Sequence, residues 1–277
     1  MTGTGVQSDP YIPTTLTEFI TAVGTAGAYV TLTQDINAAD DPAYTGELTT
    51  PITWAASSVQ GGGFTLAGVT LRTAASAISI AKGATVDALR IDIGFKREDA
   101  SSPIVAYGSG NKPAFIGCIF RIKFDDGSYR GSFAEQIDFT DCAISISTAA
   151  DTAGGSDYFW QCSFLRTTVH FPSKLERYSS GAGAIIGQST SFIRSAMIFD
   201  DLTDGANLVG GGAGSISYSY IAVRSATQSL RLSRGASGCI IALDPSATIS
   251  SSQSGWTSAT LDKMKDKDWL TSVGFLP

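Results

Sequence analysis

The chain of 277 residues has a single histidine, His170, in the stretch Thr167-Thr168-Val169-His170-Phe171-Pro172. Any Ser–His or Cys–His nucleophile must use it, and no serine or cysteine close to it in sequence completes a recognised motif. Carboxylates offer a second kind of chemistry, because glycoside hydrolysis needs only two of them, roughly 5–9.5 Å apart. The candidates are Asp125-Asp126, Asp138 with Asp141, and Asp200-Asp201 with Asp204. Asp125-Asp126-Gly127 and Asp204-Gly205 read first as turns, which Asp and Gly favour for backbone reasons. Asp138 and Asp141 flank one short apolar strand and can face one groove. Trp160 is the most suggestive sugar-stacking aromatic, since its neighbours Phe159 and Cys162 should point inward. Tyr129, Tyr158, Tyr178, Tyr218 and Tyr220 read as core or turn packing. Trp160, Asp138 and Asp141 are therefore the candidate carbohydrate contacts, and no residue is assigned a catalytic role.

Metal and nucleotide chemistry find less. The four cysteines include no C-x-x-C pair, which a zinc site would need beside the lone histidine. In Asp200-Asp201-Leu202-Thr203-Asp204-Gly205, Leu202 stands where a calcium loop needs an oxygen ligand, and Gly211 where it needs the bidentate Glu. Gly108-Ser109-Gly110-Asn111-Lys112-Pro113 lacks the hydroxyl residue of a phosphate-binding loop. No cofactor and no metal are expected. The net charge of −6 argues against nucleic acid, whose phosphates need clustered Lys and Arg.

The elements that position these residues are written as a repeat. Phe115-Ile-Gly-Cys-Ile-Phe120, Phe139-Thr-Asp-Cys-Ala-Ile144 and Phe159-Trp-Gln-Cys-Ser-Phe164 share an aromatic, then a cysteine three places on, then an apolar residue two further. Related frames are centred on Leu89, Ser195, Ser219 and Cys239. The seven centres 89, 118, 142, 162, 195, 219 and 239 are separated by 29, 24, 20, 33, 24 and 20 residues. Such intervals are too long for hairpins and suit successive turns of a solenoid. Stacked parallel strands place like residues about 4.8 Å apart in ladders, so the cysteines are expected as packed interior thiols.

The ends read differently. Leu16, Phe19, Ile20 and Val23 fall at helical spacing over about 14–23, with threonine available as a cap. Leu261, Met264, Trp269 and Val273 suggest a second helix over about 258–273, with Asp262, Lys263, Lys265, Asp266 and Lys267 on its wet side. Between them, coils are expected over about 29–255, with no linker, in one domain spanning 1–277. Met1–Pro13 lacks a basic n-region and an apolar h-region, so no signal peptide is expected. No run of about 18 apolar residues is available to cross a membrane.

Gly3–Val23, followed by Tyr29–Ile36, resembles the start of right-handed parallel β-helix proteins of the pectin-lyase-like type. The F-x-x-C-x-F rungs are similar to theirs, and Lys263–Phe275 resembles closing segments of phage-encoded members. The resemblance implies an all-β, single-stranded right-handed parallel β-helix with a capping helix at each end. It also implies a component of a bacteriophage particle, such as a capsid decoration, fibre or tailspike protein. Polygalacturonase-like members carry NTD, DD, GHG and RIK motifs in that order. Here Arg121-Ile122-Lys123 precedes Asp200-Asp201, and NTD and GHG are missing. The expectation is a non-enzymatic virion protein made in the host cytoplasm, binding other capsid or tail proteins and forming a homotrimer. The alternative is a β-helix that binds or depolymerises a host-surface polysaccharide.

Overall fold

The computed structural model describes residues 1–73, 76–97, 103–124, 132–148, 158–176, 184–203, 207–226, 230–245, 247–252, 254–266 and 268. They form an all-β parallel solenoid whose strands follow the chain repeatedly around three faces. One face holds eight strands, from Tyr29–Thr31 to Ile216–Ser217. The second holds ten, from Ile36–Asn37 to Trp256–Thr260. The third holds five, from Ile52–Trp54 to Phe159–Trp160, and then three, from Asn207–Val209 to Ile249–Ser252. Bridges through Ile186 join these two groups. Every named strand pairing is parallel (for example Ala114–Ile116 with Asp138–Thr140).

The core is a set of ladders in which alternate residues point inward. Phe115, Phe139, Phe164 and Phe192 are in register on the eight-stranded face. The rings of Phe115 and Phe139 stack at 5.7 Å, and those of Phe139 and Phe164 at 5.2 Å. Phe171 and Phe199 form a second stack at 4.9 Å. Each such ring is essentially buried and brings a large apolar area out of water.

From the strand Thr85–Asp87 onward, the chain turns between the eight- and ten-stranded faces through a single left-handed residue. Ala88, Gly117, Asp141, Arg166, Arg194, Tyr218 and Gly238 all have φ between 49° and 62°. The residue after each points into the core: Leu89, Cys118, Cys142, Thr167, Ser195, Ser219 and Cys239 are all buried. This corrects one member of the repeat. Cys162 is buried as expected, but it follows Gln161 (φ 54°) at the corner between the third face and the eight-stranded face. The true fourth centre is Thr167, so the intervals become 29, 24, 25, 28, 24 and 20 residues. Phe159 accordingly does not stack beside Phe139. It meets Phe164 edge-on at 4.8 Å.

The helix α1, Leu16–Gly24, starts where Thr15 accepts a bond from the Glu18 N–H at 3.2 Å. Leu16, Phe19, Ala22 and Val23 are buried, and Phe19 meets Trp54 edge-on at 5.6 Å. The C-terminal expectation needs correction over its first part. Residues 258–260 belong to the strand Trp256–Thr260, and Leu261–Lys265 is a short 3-10 helix. The strand is extended because it adds the tenth rung of a sheet, in register with Cys239–Leu243. Trp269 and Val273 lie outside the described residues, as does Lys267.

Candidate functional site

The structure separates the two carboxylates expected to work together. Asp138 opens the strand Asp138–Thr140, while Asp141 follows its end at the left-handed corner. Three residues of extended chain hold their backbones about 10 Å apart, and each has its own partner. Asp141 is gripped by Arg166, one coil on, with Nε to Oδ1 at 2.6 Å and Nη2 to Oδ2 at 2.7 Å. This two-point grip holds the Asp141 carboxyl below its ordinary range and raises Arg166. Both side chains are about half exposed. Asp141 therefore reads as half of a surface ion pair joining two coils.

Asp138 belongs to a different group. Lys112 Nζ lies 3.5 Å from Asp138 Oδ1 and 3.2 Å from Ser163 Oγ. Oδ1 is itself shielded from solvent and lies within ion-pair distance without a proper hydrogen bond. Ser163 is next to Asp138 in register. Trp160 is half-buried on the third face, in register with Glu135. Only the corner residue Gln161 and buried Cys162 separate it from Ser163. Trp160, Glu135, Asp138 and Lys112 thus approach one edge of the solenoid, without Asp141. Glu135 and Lys112 were not legible as members, since their partners lie 25 to 51 residues away in the chain.

The histidine has the most defined surroundings. His170 is half-buried on the outer side of the ten-stranded face, with Nε2 3.0 Å from Asp200 Oδ1. Arg224 Nη1 reaches the same oxygen at 2.8 Å. Three successive rungs, Thr168–Glu176, Ala196–Thr203 and Tyr220–Val223, bring these groups together. An open cleft of about 560 Å³ lies beside them, lined by Ile198, Tyr220, Ala222, Arg224, Leu261, Asp262, Met264 and Lys265. Asp200 stood out in the sequence only as part of a pair, and that pair does not act together. Asp201 belongs one register further, opposite Lys174. Asp125, Asp126, Tyr129, Tyr178, Asp204 and Gly205 lie outside the described residues.

Arg121 and Lys123 are exposed on the outer side of the ten-stranded face, and Arg121 sits in register with Asp92 and Ser145. Among the described residues no three His, Cys, Asp or Glu side chains gather as a metal set. No helix there is long and apolar enough to cross a membrane. Comparison with known proteins finds no matching family model, no matching curated protein and no matching solved structure.

Proposed function

We propose that this protein is a structural component of a bacteriophage virion, a capsid-decorating or tail-fibre β-helix. The observation that carries the reading is the parallel solenoid of the described residues, whose recurring features serve stacking: aromatic ladders, buried corner residues and a helix packed at the first coils. Such a rod works through shape and rigidity and draws on no catalytic step. Its coil is taken as right-handed, the hand parallel crossovers nearly always adopt. Segments at both ends close the core, the chain associates laterally as a homotrimer, and its partners are other virion proteins. The test is location. Purified particles should contain the chain in fixed stoichiometry, visible by immunogold on capsid or tail. Particles lacking it, from cells that express it, would end the reading.

A second reading, binding or cleavage of a host-surface polysaccharide, is favoured by Trp160 standing half-buried beside Glu135 and near Asp138. An aromatic face with polar neighbours suits sugar rings. Replacing Trp160 with Ala should then abolish retention on capsule or lipopolysaccharide columns, while Asp138→Asn should abolish any depolymerisation. Equal retention by wild type and Trp160→Ala would remove this reading.

A further inference from the structure

The outer side of the ten-stranded face holds two arginines that the scaffold reading leaves unused. Thr65, Arg90 and Ile119 share one row across three strands, and Asp92 and Arg121 share the next outward row. Their inward neighbours Leu66, Ile91 and Phe120 are buried, and Arg90, Asp92 and Arg121 are turned to solvent. Elsewhere on the surface Arg72, Arg166 and Arg224 are each spent on a carboxylate. Among the described residues Arg90, Asp92 and Arg121 take part in no hydrogen bond or ion pair. Asp92 and Arg121 stay apart although they are directly in register.

These side chains surround a concavity of about 110 Å³, lined by Thr65, Arg90, Ile91, Asp92, Ile119 and Arg121. A β-bulge accounts for its position. The pairing passes from Leu66 with Ile91 to Val69 with Ile93, so Asp92 has no regular partner on the preceding strand. Within the bulge Gly68 has φ 73°, and a Cβ there would sit 2.8 Å from Asn37 Oδ1. Only glycine suits that place, and a bulge bends its strand and re-aims the side chains around it. Arg90 and Arg121 stand diagonally, one strand and two residues apart, which is about 8 Å between their backbones. Two guanidinium groups on stems of that length and spacing can close on one small anion.

We propose that Arg90 and Arg121 bind a phosphate group, as hydrogenphosphate or a phosphomonoester, with Thr65 and Asp92 completing the site. A single guanidinium already satisfies a carboxylate through two parallel bonds. Two forks therefore call for an anion with more oxygens, and a tetrahedral oxyanion has enough for both. The Thr65 hydroxyl is a further donor. Asp92 decides which oxyanion enters, because an ionised carboxylate only accepts hydrogen bonds. Sulfate has no proton at neutral pH and is repelled by it. A protonated phosphate offers Asp92 its P–OH and keeps its remaining oxygens for the arginines.

This inference goes beyond the scaffold reading and is independent of it. The experiment follows phosphorus NMR of inorganic phosphate and of glucose 6-phosphate with the full chain at about pH 6, where a phosphomonoester keeps part of its second proton. Both signals should broaden saturably, and sulfate should compete poorly. Saturation by both ligands identifies the phosphate of a larger molecule, and saturation by inorganic phosphate alone identifies the free ion; either sustains the site. Arg90→Ala and Arg121→Ala should each weaken binding about 10-fold or more, as loss of a charged hydrogen bond does. Arg90→Lys with Arg121→Lys keeps the charge but loses both forks and should recover binding only in part. Arg194→Ala removes an exposed arginine from the corner ladder and should leave binding unchanged. Asp92→Asn should admit sulfate, which would then compete as well as phosphate. The altered side chains are exposed, so circular-dichroism melts should match wild type. No saturable binding, equal competition by sulfate in the wild type, or equal binding by wild type and Arg121→Ala would overturn the assignment. None of these outcomes bears on particle location, so the two proposals fail separately.

Discussion

At the scale of single residues, the cysteines show how burial decides chemistry. Cys118, Cys142, Cys162 and Cys239 are all free and buried. Burial pushes the Cys162 thiol up to about 12 and raises Cys239. A hydrogen bond with the Cys142 thiol, and then burial, raise Cys118. The thiolate is the reactive form; the bond with Cys118 lowers Cys142, which its burial alone protects, so a polar alkylating agent should label none of the four natively and all four in denaturant. Fast native labelling of several would mean the strand faces are inverted. Glu47 gives the opposite case on the surface. Arg72 Nε donates to it at 2.8 Å and Lys96 Nζ at 2.6 Å. The bonds from Arg72 and Lys96 lower its carboxyl from 4.5 to about 2. A group with a depressed folded pKa stabilises the fold fully above its unfolded value and loses that effect as pH falls through the folded one. Glu47→Gln should therefore lower Tm at pH 7, with the gap to wild type closing between about pH 4.5 and 2. A gap independent of pH would show that the charge contributes nothing.

At the scale of the elements, the corner ladder is a hydrogen-bonded spine. The Cys142 N–H donates to Thr167 Oγ1 at 3.2 Å, the Thr167 N–H to Ser195 Oγ at 3.1 Å, and the Ser195 N–H to Ser219 Oγ at 3.1 Å. The Thr167 hydroxyl in turn lies 3.2 Å from the Phe139 carbonyl and 3.1 Å from that of Leu165. Thr167→Val keeps the shape but strands the buried Cys142 N–H, which should cost about 1–3 kcal/mol. Thr167→Ser keeps the hydroxyl and should cost clearly less. Denaturant midpoints at constant m-value measure both, and equal loss in the two variants would assign the effect to packing. This spine also marks where sequence reading succeeded and stopped. The frames around Cys118 and Cys142 were legible because inward apolar residues on both sides of a corner recur at fixed short spacing. The placement of Cys162 was not. In several coils two corners use the same local device, a left-handed residue followed by a buried one, as at Asp141–Cys142 and Gln161–Cys162. Coil lengths also vary from 20 to 29 residues, so counting along the chain cannot tell the corners apart. The same limit hid the contact of His170 with Asp200, which lie 30 positions apart and meet only through the pairing of their strands. Trp160 and Asp138 were legible as outward side chains, but the partners that give them context come from other coils.

At the scale of the whole molecule, each coil rests only on its neighbours, so stability is a chain of interfaces with ends that matter most. At the N-terminal end α1 lays Leu16, Phe19, Ala22 and Val23 against the first coils. Two further contacts fix it. Backbone N–H groups of Ala55 and Ala56 donate to the Val23 carbonyl at 2.7 and 2.9 Å. Asp41 accepts from the Thr17 N–H at 2.6 Å and from the Ala43 N–H at 2.9 Å. Phe19 is 1% exposed and meets Trp54, whose ring in turn meets Phe115. Phe19→Ala should remove about 3–5 kcal/mol from this terminal interface. In a structure with one global core the loss would spread evenly. In a chain of interfaces it should stay local, because the Phe139–Phe164 stack several coils away keeps its own neighbours. Hydrogen exchange followed by mass spectrometry should therefore show lost protection at Tyr29–Thr31, Ile52–Trp54 and Ser58–Gln60. Protection at Asp138–Thr140 and Ser163–Leu165 should be unchanged. Uniform acceleration across all these strands would show that the solenoid unfolds as one unit and that its end carries no separate weight.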